Sequence, residues 1–145
     1  MSAEPEQRSP DSGAKRDPVV LTDDLRLWAV RGAVTVESNQ QDAILAATEE
    51  LLFELMKRND LVPERMVSCL FTATDDLDAE FPAVAARQLG LESVPLLCSR
   101  EIDVAGSMRS VIRVMAHYYA PHDHEPAHTY LGEAQKLRAD LHAAQ

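Results

Sequence analysis

The sequence predicts an α/β (α+β) fold, and three observations carry that expectation. Short runs rich in β-branched and aromatic residues alternate with stretches of helical spacing, the turn residues fall between them, and no internal repeat is present. The chain has 145 residues, 46% of them hydrophobic, enough for one core without disulfide or metal staples. Residues 1 to 24 hold Pro5, Pro10 and Pro18 among Ser, Glu and Asp, and read as a disordered acidic tail. Residues 25 to 145 read as a single domain.

Leu25 to Arg31 is β-rich and is read as a strand closed by Gly32. Ser38 followed by Gln41 has the spacing of a capping box, and Ile44, Ala47, Leu51, Leu52, Leu55 and Met56 then recur at helical spacing up to Lys57 and Arg58. Pro63 opens a turn. Met66 to Ala73 scarcely alternates and is read as a strand buried on both sides. Pro82 suits the first turn of a second helix and Gly90 its stop. Val94 to Cys98 is a short strand whose Pro95 points to an edge or end position. Ser110 to Tyr119 alternates, setting Val111, Arg113, Met115 and His117 on one face and Ile112, Val114, Ala116 and Tyr118 on the other. A last helix is expected from Thr129 to Arg138.

The 24 acidic residues against 14 basic ones leave a net charge of -10, which argues against nucleic acid and against an anionic membrane, since both reward clustered Lys and Arg. Net charge does not decide the case of a small anion, because a pocket's local charge governs its binding. The N-terminus lacks the basic and apolar regions of a secretory signal, and no apolar run approaches the ~20 residues of a membrane span. With Cys69 and Cys98 far apart and in apolar surroundings, a reducing, cytoplasmic home is expected.

Covalent and metal chemistry find little purchase. No G-x-S-x-G, phosphate-binding loop or H-E-x-x-H occurs. His122, His124 and His128 crowd one segment with Asp123 and Glu125, but Pro121 and Pro126 mark it as a solvated loop, and no metal is expected there. Cys98 has no identifiable base beside it and reads as a small core residue. What remains is a set of arginines at element ends, Arg31, Arg87, Arg113 and Arg138. For Arg87 and Arg138 the ordinary reading is a solvated helix residue. Arg113 is different: in mid-strand among apolar neighbours it requires an anion.

Five fragments carry a resemblance: Ala29-Val-Arg31-Gly-Ala-Val-Thr35-Val-Glu37; Thr72-Ala-Thr-Asp-Asp-Leu-Asp-Ala-Glu-Phe81-Pro-Ala83; Val94-Pro-Leu-Leu-Cys98-Ser-Arg-Glu101-Ile-Asp-Val-Ala-Gly106; Ile112-Arg113-Val-Met; and His128-Thr-Tyr130 through Leu137-Arg138 to Leu141. In this order and spacing the chain resembles the monofunctional chorismate mutases of the AroH class. The resemblance implies a pseudo-α/β-barrel homotrimer with active sites between subunits, no cofactor, and the Claisen rearrangement of chorismate to prephenate in phenylalanine and tyrosine biosynthesis. By motif position Arg113 faces the breaking ether oxygen and Glu101 the ring hydroxyl and the cationic side of the transition state. Arg31 and Tyr130 match residues that grip the substrate's side-chain carboxylate, and Cys98 a wall residue near the hydroxyl. Phe81, Ala83 and Arg87 are expected from the neighbouring subunit, and Leu137 and Arg138 from a C-terminal segment that closes over the pocket. Val84 stands where some members carry lysine, so one peripheral positive charge is missing. The rivals are a trimeric imine deaminase of similar barrel architecture and a non-catalytic trimeric module that binds chorismate or regulates a partner.

Overall fold

The computed structural model describes residues 24–138; the expected tail, all but its last residue, lies outside them. Five strands form one mixed sheet: β1 (Leu25–Thr35), β2 (Met66–Ala73), β3 (Leu96–Arg100), β4 (Val111–Pro121) and β5 (Thr129–Leu131), in the spatial order β3-β2-β4-β1-β5. β4 lies at the centre, antiparallel to β1 and β2, while β3 and β5 add in parallel at the two edges. Pro95 thus precedes an edge strand, as its missing N–H requires, although the strand starts one residue later. Among the described residues no helix is long and apolar enough to cross a membrane.

Two helices, α1 (Gln41–Arg58) and α2 (Ala83–Gln88), cover one face of the sheet. Ile44, Leu51, Leu52 and Leu55 of α1 are fully buried against Val30, Val34, Phe71, Val114, Ala116 and Tyr118. Each such side chain contributes roughly 1.5–3 kcal/mol by leaving water. Asp42 in the first turn and Lys57 and Arg58 in the last complement the helix dipole. The expected capping box does not form: the helix starts at an uncapped Gln40, and the neighbouring Asn39 instead accepts the N–H groups of Asp78 and Ala79, each at 3.0 Å. Asn39 therefore staples the loop before α2 rather than the start of α1.

Gly32 does not end the first strand, which continues to Thr35. A Cβ at this position would come within 2.9 Å of the Thr129 carbonyl oxygen and 3.0 Å of Leu51 and Leu55, so the glycine is what lets α1 and β5 close on β1. At the far end of α1, buried Asn59 donates to the Leu55 and Ala127 carbonyls and accepts the Ala127 N–H at 2.7 Å, fixing the approach to β5.

Two further expectations are corrected. β2 is buried on one face only: Cys69 and Phe71 pack beneath the helices, whereas Val67 and Leu70 are exposed, because none of the described residues covers them. Thr129–Leu131 is a strand, since its backbone pairs with Gly32, Ala33 and Val34; a 3-10 turn (Gly132–Ala134) follows, and helix is found only over 135–138.

Candidate active site

The alternation along β4 sends Arg113, Met115, His117 and Tyr119 to the face opposite α1 and α2. The register then decides what stands beside Arg113. Its direct cross-strand partners are Thr72 on β2 and Ala33 on β1, and Glu101, just beyond β3, places its carboxylate against the guanidinium Nε. Arg31, Thr72, Glu101, Arg113 and Tyr130 line one cavity of about 360 Å³, with Leu70 and Met115 as its apolar walls. That volume suits a small organic molecule. The sequence had singled out four of these groups from separate elements, and the sheet brings all four together.

Within this cavity two buried polar atoms have no hydrogen-bond partner, Arg113 Nε and Thr72 Oγ1. The Glu101 carboxylate lies against the Arg113 nitrogen as an ion pair without the directed geometry of a hydrogen bond. A buried hydroxyl without a partner is rare in folded proteins, and beside a guanidinium in one cavity it suits a ligand that brings oxygen atoms.

Three sets of contacts hold the cavity's frame. Thr74 Oγ1 accepts the Val111 N–H at 3.0 Å, and the Glu101 N–H donates to the Ala73 carbonyl at 2.9 Å, fixing both ends of the loop between β3 and β4. Ser110, in the left-handed region at φ 57, donates its N–H and its hydroxyl to the Asp76 carboxylate at 2.9 and 2.8 Å. Burial alone would raise the Asp76 carboxyl, but hydrogen bonds from Thr74 and Ser110, aided by Arg109, bring it below its ordinary value. Arg109 meanwhile bridges Asp75 and Asp103. On the other side of the cavity the Arg31 N–H donates to His128 Nδ1 at 3.0 Å, which requires a neutral imidazole. Burial, and then the charges of Arg31 and Arg138, hold the His128 pKa below its ordinary value.

Phe81, Cys98, Ala83 and Arg87 form a second group on the same chain. Phe81 is 67% exposed and lines a separate cavity of about 320 Å³ with Cys98, Ser99 and Arg100. Cys98 turns toward α2: its thiol is lifted by burial, which a backbone hydrogen bond from Ala83 and the Arg87 charge only partly offset. Cys69, deeper still, is pushed up to about 12 by burial and by Cys98. Neither sulfur is a ready nucleophile. Ala83 is buried and Arg87 exposed. Leu137 packs on the small cluster of Ala33, Val111, Tyr130 and Ala134, beside the first cavity.

His124 is engaged elsewhere, with Nε2 at 2.6 Å from the Tyr118 hydroxyl and its ring edge-on to Trp28. The sequence reading missed Thr72, which the motif contained without assigning it a role. Its signal was the spacing of Leu70 and Thr72 opposite Cys69 and Phe71, but only the β2–β4 register identifies Arg113 as its neighbour.

The chain matches the family model described as chorismate mutase type I over residues 27–141. It is 46% identical over 119 residues to the chorismate mutase AroH of Thermus thermophilus, covering 80% of this chain and 97% of that protein. It is 42% identical over 120 residues to the chorismate mutase AroH of Bacillus subtilis (strain 168), covering 81% and 94%. A solved chorismate mutase from Clostridium thermocellum superposes with a TM-score of 0.71 at 46% identity, over 75% of this chain and 98% of that one. By its sequence, its sheet and its cavity, the chain belongs to the type I chorismate mutase family.

Proposed function

We propose that the protein converts chorismate to prephenate, the rearrangement that commits chorismate to phenylalanine and tyrosine, and that it does so through the cavity at the centre of the open sheet face. The observation that carries this reading is Arg113, a guanidinium in mid-strand, ion-paired with Glu101 and flanked by Arg31 and Tyr130 in one cavity.

A [3,3] rearrangement is unimolecular and needs no covalent intermediate and no proton transfer, so the protein's contribution is to hold a folded substrate and stabilise charge as it develops. As the ether C–O bond breaks ahead of C–C bond formation, negative charge grows on the ether oxygen, and Arg113 meets it. Positive character grows on the ring, and Glu101 faces that side while its carboxylate holds the guanidinium in place. These contacts are stronger in the transition state than in the ground state, the condition for a higher chemical rate. Arg31 and Tyr130 take the side-chain carboxylate. A local excess of positive charge in the cavity thereby coexists with an acidic surface.

The active unit is a homotrimer. Leu27, Leu70 and Leu97 stand exposed on the open sheet face, and Phe81 offers a large ring that its own chain leaves in solvent. Joining copies through these surfaces brings Phe81, Ala83 and Arg87 of one chain to the Arg113 cavity of the next. Leu137 and Arg138 close over the substrate. Residues 25 to 145 act as one domain, and the two free thiols accord with the cytoplasm.

The test follows the ultraviolet absorbance of chorismate with purified protein and with the Arg113→Ala variant. Wild type should consume chorismate far above the uncatalysed rate and yield prephenate. Chorismate left untouched while an amino-acid-derived imine releases ammonia would support a deaminase, and binding without turnover a regulatory module.

A further inference from the structure

We propose that Thr72 is a further catalytic residue, whose hydroxyl donates to the same ether oxygen that Arg113 faces. The inference rests on the reading of Arg113 given above. Thr72 and Arg113 are direct cross-strand partners on β2 and β4, so their side chains rise side by side from the open face into one cavity. Thr72 Oγ1 is buried and has no hydrogen-bond partner.

The other described threonines differ. Thr48 donates to the Ile44 carbonyl at 2.7 Å and Thr129 to the Ala127 carbonyl at 3.1 Å. Thr35 accepts the Glu133 N–H and Thr74 the Val111 N–H, each at 3.0 Å. Those four hydroxyls serve the fold. The Thr72 hydroxyl serves none of its neighbours, and beside it stands the Arg113 guanidinium, whose Nε meets only the Glu101 carboxylate as an ion pair. A hydroxyl buried without a partner is unfavourable in the free protein and becomes favourable when a ligand oxygen arrives. Its position opposite Arg113 assigns that oxygen to the one on which negative charge grows, so its hydrogen bond strengthens as the C–O bond breaks.

Kinetics of Thr72→Val and Thr72→Ser, with thermal unfolding of each, test the proposal. Valine matches threonine in shape and β-branching, and serine restores the hydroxyl alone. Removing one neutral donor that acts in the transition state should lower kcat about tenfold in Thr72→Val, with KM changed less than about twofold. Thr72→Ser should stay within about threefold of wild type. Because the hydroxyl has no partner in the fold, Thr72→Val should melt at or above the wild-type temperature. Wild-type kcat in Thr72→Val, an equal loss in both variants, or a loss confined to KM would each overturn the proposal. A lowered melting temperature with kcat intact would do the same, since the hydroxyl would then be structural. Arg113→Ala measured alongside separates the two levels. If Arg113→Ala is crippled and Thr72→Val is not, only the role of Thr72 fails; if Arg113→Ala keeps wild-type kcat, the reading of the cavity itself fails.

Discussion

The two faces of the central strand make opposite uses of the same backbone. On β4, Ile112, Val114, Ala116 and Tyr118 are buried under α1 and α2 in a closed apolar core. One residue along, Arg113, Met115, His117 and Tyr119 face outward, half-buried, on a surface that carries exposed leucines, the Arg113–Glu101 ion pair and the unpartnered Thr72 hydroxyl. The helix-covered face is complete within one chain. The open face, in the trimer proposed above, is completed by substrate and another copy of the chain. Stability should therefore reside in the first and catalysis in the second, and substitutions on each face should separate the two properties.

The largest effect expected is at Arg113. Loss of a preorganised charge donor lowers kcat by roughly 10²–10³, about 3–4 kcal/mol, so Arg113→Ala should lose nearly all turnover while its melting temperature stays near wild type. Arg113→Lys keeps the charge but loses the planar fork, and initial rates should show it crippled as well. On the covered face, Leu55→Ala should cost about 2–5 kcal/mol in denaturant unfolding, with kcat unchanged at temperatures where the variant is folded. A Leu55→Ala variant that loses rate but no stability would erase the distinction between the faces.

Gly32→Ala probes the seam between them. Its Cβ would press on the Thr129 carbonyl and on Leu51 and Leu55, so calorimetry should find it destabilised by roughly 1–3 kcal/mol. Because Thr129 adjoins Tyr130, KM should rise as well. The smallest effect concerns pH. The folded chain holds the His128 pKa below its ordinary 6.5, so the unfolded chain takes up the proton first. The stability this residue contributes is present above that value and is lost as pH falls through it toward the folded pKa. His128→Asn keeps an acceptor at the δ position for the Arg31 amide but does not titrate. Melting temperatures taken through this acidic range should therefore fall less in the variant than in wild type.

Much of this was legible in the sequence, because each element announces itself locally: α1 through its helical spacing, α2 through Pro82 and Gly90, and β4 through strict alternation that isolated Arg113 among apolar residues. The errors arose where tertiary context overrides local pattern. Thr129 to Leu131 reads as part of a helix until β1 is seen to offer it a pairing edge, and Gly32 reads as a strand end until the approach of α1 makes it an interior necessity. β2 reads as buried on both sides because its apolar residues face both ways, one set toward helices and the other toward solvent in the single chain. Arg31, Glu101, Arg113 and Tyr130 could be named from motifs, yet Thr72 could not, since its importance lies in a cross-strand register that spacing along the chain does not encode.

The central claim is that each chain carries two halves of different sites, Arg113 in one and Phe81 with Arg87 in the other. Mixing denatured Arg113→Ala chains with denatured Phe81→Ala/Arg87→Ala chains in equal amounts and refolding them together tests it directly. Random assembly into closed trimers pairs an intact Arg113 with an intact Phe81 and Arg87 at about a quarter of the interfaces, so about a quarter of wild-type turnover should return. A refolded mixture no more active than the sum of its two parents, with trimers formed, would contradict the account.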